Sequence, residues 1–411
     1  MTLAPAGDTA LGGVRDHTHD RKPAVAGGVA AGMTTTETVP HAADVVVIGA
    51  GQAGLSAAYH LRRRGFAPAV GATSGERTYV VLDAEDGPGG AWRHRWRSLR
   101  MGTVNGIHDL PGIEQPDVEP EAASVDVLPA YFGDYERELA LAVVRPVRVR
   151  RVEEAGDGRL LVRWSAGGRS GVVTARAIVN ATGTWSKPFW PAYPGQETFR
   201  GRQLHTADYV RAEDFAGQRV AVVGGGISAV QLLEEVSHVA RTFWFTRREP
   251  VWRDSFEPED GSRAVAMVAD RVREGLSPLS VVSVTGLIKT PSLLAAEARG
   301  VLHRRPMFTR IAPDGVVTAD GENLPVDVIF WNTGFRAALD HLRPLHLRAA
   351  GGGIRMDGTQ VDGEPRVHLI GYGPSASTIG ANRAGRDAVN RIVRHLDGTT
   401  EGAVTTHAAA R

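Results

Sequence analysis

An α/β fold with parallel sheets is what this sequence predicts, and three observations predict it. A buried apolar run, VVVI (45–48), leads directly into a glycine cluster and then into a helical pattern, LSAAYHLRRRG (55–65). The same order returns about 175 residues later, as RVAVVGGG (219–226) followed by ISAVQLLEEVSHV. Short apolar runs, TYVVLD (78–83), RTFWFTRR, VDVIFWNTGF (326–335) and RVHLIGYG (366–373), supply further strands. Strand, glycines and helix occurring twice read as two Rossmann-like dinucleotide-binding domains.

Residues 1–42 are rich in Gly, Ala and Thr without strand or helix period, which reads as a disordered leader, with Met33 as an alternative start. Order begins at Asp44. Residues 66–77 make a long Gly- and Ser-containing link between helix and strand, taken as a surface insertion. VRVRRVEE, RLLVRWS and VVTARAIVNATG (about 145–183) alternate as a β-meander does. Residues 254–310 read as mainly helical and irregular, and ANRAGRDAVNRIVRHL as a final helix.

Composition narrows the function. The 411 residues are 42 % hydrophobic and 23 % charged, with a mean hydropathy of −0.17, ordinary for a globular chain. The 47 basic and 46 acidic residues leave a net charge of +1, so no basic field recruits nucleic acid or an anionic membrane. No apolar stretch reaches the ~18 residues of a spanning helix, and a cytoplasmic protein is expected. Cysteine is absent, which removes disulfides, thiolate nucleophiles and thiolate metal sites. The 14 histidines show no dense ligand spacing, so no metal is expected. Glycine is the informative excess, with 49 residues.

The first glycine cluster, VVVIGAGQAG, carries Gly49, Gly51 and Gly54 between strand and helix. Gly49 permits a tight turn, Gly51 lets a pyrophosphate approach the helix N-terminus, and Gly54 lets helix pack on strand. Asp83, ending the next strand, stands where a carboxylate binds a ribose hydroxyl. It lies 34 residues after Gly49, and the 66–77 link accounts for that distance. GPGGAWRHRW (87–96) then offers Gly90 and Trp92, glycine beside a large aromatic, to let the chain pass close to a flavin.

The second cluster, VVGGGISA, carries Gly224, Gly226, Ser228 and Ala229. Its following strand ends in Arg247 and Arg248 instead of an acid. Guanidinium suits a 2′-phosphate, which favours NADPH over NADH; two solvated arginines are the alternative. Between the clusters runs Phe199-Arg-Gly201-Arg-Gln-Leu-His205-Thr206-Ala-Asp208-Tyr209.

That segment, F-x-G-x-x-x-H-T-x-x-Y, resembles the fingerprint of the class B flavoprotein monooxygenases, among them flavin-containing, YUCCA-type and Baeyer–Villiger enzymes. The resemblance runs from about 44 to 395. It includes both glycine motifs, GGAW, the triplet Ala181-Thr182-Gly183 and NTGF (332–335), with Gly371 in the late GYG turn. It implies an FAD domain in two parts (43–190 and 325–411) with an NADPH domain (191–324) inserted. The implied reaction is NADPH- and O2-dependent oxygenation of a small organic substrate through a C4a-(hydro)peroxyflavin. It implies that His205 relays cofactor binding between domains, and we carry His205 and Asn105 as catalytic candidates. Asn105 stands three residues after Gly102, which occupies the place of the family's asparagine near the flavin. The fingerprint ends in Tyr209 without the W-P or W-D of many Baeyer–Villiger enzymes. A flavin reductase or oxidase without oxygen insertion, and a non-catalytic FAD- and NADPH-binding sensor, share every cofactor motif. Substrate identity is not legible, and assembly as a homodimer is left open.

Overall fold

The computed structural model describes residues 39–408 except 105, 254, 256, 257 and 280–285, and of 258, 259, 379 and 399–408 the backbone alone. Asn105 and all of the leader before residue 39 therefore lie outside the described residues.

The chain enters through strand β1 (Ala42–Ile48) and helix α1 (Gln52–Arg63), followed by β2 (Ala67–Pro68) and β3 (Thr78–Leu82). Helix α2 (Ser124–Glu138) precedes β4 (Val143–Val144), β5 (Arg148–Glu154), β6 (Leu160–Ala166) and β7 (Arg169–Asn180). Next come β8 (Arg202–His205), β9 (Arg219–Val223), helix α3 (Ile227–Val236), β10 (Arg241–Thr246) and β11 (Trp252–Arg253). Helix α4 (Pro258–Arg273), β12 (Leu287–Ile288), helix α5 (Pro291–Ala298), β13 (Arg304–Pro306), β14 (Arg310–Ala312), β15 (Gly315–Val317), β16 (Asn323–Pro325) and β17 (Val328–Trp331) follow. The last elements are β18 (Met356–Asp357), β19 (Gln360–Val361), β20 (Glu364–Leu369) and helix α6 (Thr378–Ala408).

Among the described residues the strands form two main sheets. The first runs β18-β19-β20-β7-β1-β3-β2, with β4 on β3 and β5–β6 extending from β7. Its centre, β20-β7-β1-β3, is parallel throughout, and the β5–β6–β7 meander is antiparallel as its alternation predicts. The second sheet, β13-β10-β9-β17-β8, is parallel at every pairing. The molecule is thus mixed α/β with parallel sheets.

Strand β1 is buried on both faces, the mark of a parallel strand covered on two sides. Val45 and Val47 join Leu55 and Leu61 of α1 and Ala388, Ile392 and Leu396 of α6 in one core. Val46 and Ile48 point the other way, onto Val162, Trp164 and Leu369. Helices α1 and α6 cross closely because Gly385 has no Cβ; one built there would meet Ser56 Oγ at 2.4 Å and the Ala57 amide at 2.9 Å.

Two details differ from the sequence reading. The 66–77 link is not wholly an insertion: Phe66 is buried, and Ala67–Pro68 pairs in parallel with β3 as an edge strand, a place proline tolerates. Strand β17, which lies after residue 325, sits in the second sheet between β9 and β8. Its Val328–Trp331 alternation fills the cores on both faces of that sheet. Among the described residues no helix is long and apolar enough to cross a membrane.

Candidate functional site

The glycines, Asp83, Thr182 and Gly371 follow the carboxyl ends of four adjacent parallel strands, where open α/β sheets bind ligands. Gly49 has φ +99°, and a Cβ there would press on the Ala181 carbonyl at 2.7 Å. A Cβ on Gly54 would lie 1.9 Å from the Gly49 carbonyl oxygen. These two positions are closed by backbone. Gly51 is different, since a Cβ there meets nothing within 4 Å. It is the N-cap of α1, with no side chain capping the helix and no acid in its first turn. Free amides and the positive helix end face open space, an arrangement that accepts an anion. Gln52, first residue of that helix, keeps Oε1 buried without a partner.

Gly90, the start of a 3-10 turn over Gly90–His94, lies against this cradle; its Cβ would come 3.0 Å from Gly51 Cα. Gly371 (φ +69°) lies near the start of the same helix, since a Cβ built there would come 3.8 Å from Ala53 Cβ. Thr182 Oγ donates to the Ala338 carbonyl at 2.7 Å, and the Ala338 amide donates to the Gly183 carbonyl at 3.0 Å. Those bonds fix the turn after β7. Trp92 packs against both the first-sheet core and the second-sheet core, and so lies between them.

Asp83 is buried beside Arg145, whose Nε donates to Oδ2 at 2.8 Å while its two terminal nitrogens hold Glu136 at 2.6 Å. Burial pushes the Glu136 carboxyl up against the pull of that guanidinium, and the two acids hold the Arg145 guanidinium above its ordinary range despite burial. Among the described residues none donates a hydrogen bond to Asp83 Oδ1, so one oxygen stays available to a hydroxyl. Arg145 is a residue that sequence reasoning missed. It arrives 62 positions later, and only the fold places it here.

The second cluster repeats the pattern. Gly224 has φ +148°, and a Cβ would lie 2.2 Å from the Asn332 carbonyl oxygen. Gly226 caps α3 with open space beyond it and no side-chain cap. Ser228 sits in the first turn, and Ala229 is buried against the strand. Arg247 and Arg248 are exposed at the end of β10. Arg304 joins them, donating to Thr246 Oγ at 2.8 Å and to the Thr246 carbonyl at 3.3 Å. This third cation was not legible in the sequence, because β13 pairs with β10 across 58 residues.

His205 ends β8 and is fully buried. Its Nδ1 accepts from the Ala207 amide at 3.1 Å, and its Nε2 donates to the Gly334 carbonyl at 3.0 Å. A carbonyl only accepts, so the ring is the neutral Nε2–H tautomer. Burial holds its pKa below 6.5, in the same sense. Both nitrogens are engaged with backbone, which suits a positioning residue better than a proton carrier. The Gly334 carbonyl also accepts the Phe189 amide at 2.9 Å, so the NTGF turn is tied to the segment entering the second sheet.

Among the described residues no paired acid and base is aimed at one reacting atom. The arrangement can hold two dinucleotides, and redox chemistry would come from what it holds.

Comparison with known proteins agrees with this geometry. The pyridine nucleotide-disulphide oxidoreductase family matches residues 46–278. A flavin-containing monooxygenase from Stenotrophomonas maltophilia superposes with a TM-score of 0.71 at 40 % identity, over 86 % of this chain and 99 % of that one. Indole-3-pyruvate monooxygenase YUCCA1 of Oryza sativa subsp. japonica is 36 % identical over 191 residues, 46 % of this chain and 43 % of its own length. A Baeyer-Villiger monooxygenase of Streptomyces coelicolor is 30 % identical over 226 residues, 54 % of this chain and 40 % of its own. The matched region thus spans less than half of each of these last two. The chain belongs to the class B flavoprotein monooxygenases, within the wider pyridine nucleotide-disulphide oxidoreductase family. With no cysteine it has no dithiol for the chemistry after which that wider family is called.

Proposed function

We propose that this protein is an FAD-containing, NADPH- and O2-dependent monooxygenase of a small organic substrate. The observation that carries the reading is the pair of uncapped helix N-termini, α1 and α3, each opening past a glycine with free space beyond it. In this reading Gly51, with Gly49 and Gly54 shaping the turn, admits the FAD pyrophosphate to α1, and Asp83 Oδ1 takes a ribose hydroxyl. Gly90, Trp92, Thr182, Gly183 and Gly371 border the flavin. Gly226 admits the NADPH pyrophosphate to α3, with Gly224, Ser228 and Ala229 forming that turn and Arg247 and Arg248 meeting the 2′-phosphate. FAD, when bound, supplies hydride acceptance and oxygen activation; the protein supplies orientation and exclusion of water. His205 keeps the NTGF turn in register between the two sites. The FAD domain comprises 43–190 and a C-terminal part, the NADPH domain the segment between, with the return placed after β17 because that strand completes the second sheet.

Overall, NADPH, a proton, O2 and substrate give NADP+, water and substrate carrying one oxygen atom. The test is turnover under isotopically labelled oxygen with a panel of thioethers, amines and ketones. One labelled atom in a product for each NADPH consumed is expected. Stoichiometric hydrogen peroxide with no labelled product across the panel would establish the oxidase instead.

A further inference from the structure

We propose that Arg95 is the anchor for a carboxylate-bearing substrate with an apolar body, held between the two dinucleotide sites. Its guanidinium lies over three indoles, 4.3 Å from the ring centre of Trp185, 5.4 Å from Trp92 and 5.9 Å from Trp96. Trp185 in turn stacks on Phe335 at 4.9 Å. Among the described residues none donates to, accepts from or pairs with that guanidinium, and its Nε is sealed from solvent without a partner. The arginines on either side behave otherwise. Arg93 pairs with Asp86, and Arg97 holds Asp126 through two bonds. Burial with no counter-charge lowers Arg95 to about 10, which still leaves it cationic at neutral pH. A partly buried cation without an anion is an unfinished pair.

The location says which anion completes it. Trp185 comes from the turn carrying Thr182 and Gly183, Phe335 from the turn carrying Gly334, and Arg95 itself follows the Gly90–His94 turn. Three turns, one from each side and one between, converge on this cation. In the function proposed above, the phosphates of both dinucleotides already have partners: α1 beyond Gly51, α3 beyond Gly226, and Arg247 with Arg248. A substrate remains to be matched. A planar carboxylate fits the guanidinium fork, and the indole and phenyl faces fit an apolar body. The inference rests on that function only for where substrate meets cofactor, since binding needs no turnover.

The test titrates FAD-loaded wild type, Arg95→Gln and Arg95→Lys with phenylacetate and with neutral phenylacetamide. Tryptophan fluorescence and equilibrium dialysis read the binding. Wild type should bind the acid at least ten-fold more tightly than the amide. Arg95→Gln should lose that margin with amide affinity, NADP+ affinity and FAD content unchanged, and Arg95→Lys should fall between. Equal binding of acid and amide by wild type overturns the proposal, and this comparison decides it even where Arg95→Gln fails to fold. It is equally overturned if Arg95→Gln weakens NADP+ or sheds FAD while acid binding persists, since the cation then serves a cofactor phosphate. Carboxylate binding that depends on Arg95, in a protein that oxygenates nothing, would refute the monooxygenase reading and leave the anchor standing.

Discussion

Arg145 carries two acids, Asp83 and Glu136, and all three side chains are largely buried. Removing the cation leaves two desolvated carboxylates facing each other. Arg145→Met should therefore destabilise the fold by about 3–5 kcal/mol in urea unfolding, the usual cost of breaking a buried ion pair. Part of the loss should return on acidification, as protonation relieves the unpaired acids; a loss independent of pH would show that packing alone is at stake. Arg247 and Arg248 are the opposite case, exposed and free to meet a ligand. Changing both to Ala should weaken NADPH by about 10²-fold, as charge-assisted bonds of about 1.5–3 kcal/mol imply. NADH should shift little; an unchanged affinity for both nucleotides would return these arginines to the solvated surface, and an equal loss for both would place them on a part the two share. Residue by residue, the glycines were legible because their constraint is local: positive φ at Gly49 and Gly224 is a property of one turn. Arg95, Arg145 and Arg304 were not, because distant segments give each its meaning. Asp83 was legible as a position, while its burial against Arg145 was not.

At the scale of elements, the β1–α1 turn shows what the glycine spacing enforces. Gly54 lies under the Gly49 carbonyl, so even the small side chain of Gly54→Ala requires the helix to lift from the strand. We expect Gly54→Ala to lower the melting temperature of the FAD-free protein by several degrees, consistent with overpacking costs of about 1–3 kcal/mol. An unchanged melting temperature would mean that the turn yields more easily than its backbone contacts indicate. The parallel strands were readable because β1 and β9 are apolar on both faces and end in glycine. The short edge strand Ala67–Pro68 was not, since two residues carry no period and a proline argues against a strand. Strand β17 was legible as a strand, but its place between β9 and β8 in the second sheet was not. Sheet membership is set by which neighbour takes its hydrogen bonds, and periodicity does not record that.

Across the whole molecule, several histidines are kept neutral by burial, and His341 and His368 are pushed down to about 4. The unfolded chain protonates them near 6.5, so their neutral form favours the fold above that value. Stability then falls as pH drops from about 6.5 toward 4, by about 1.4 kcal/mol per pH unit for each histidine while its folded form stays unprotonated. Urea midpoints at about pH 7 and pH 5 should show this loss, and His341→Gln should recover part of it. A flat profile would mean that these rings protonate without unfolding.

In the proposed function one chain holds two different dinucleotides at two similar helix ends. Gly51 and Gly226 both border open space, and a Cβ at either position meets none of the fold's own atoms within 4 Å, so valine there should enter the ligand's place. Anaerobic mixing with NADPH, followed by flavin absorbance, tests this most directly. Gly51→Val should fold but purify without flavin, whereas Gly226→Val should keep its flavin and fail to be bleached by NADPH. If Gly226→Val loses flavin, or is bleached as fast as wild type, the assignment of the two sites is contradicted.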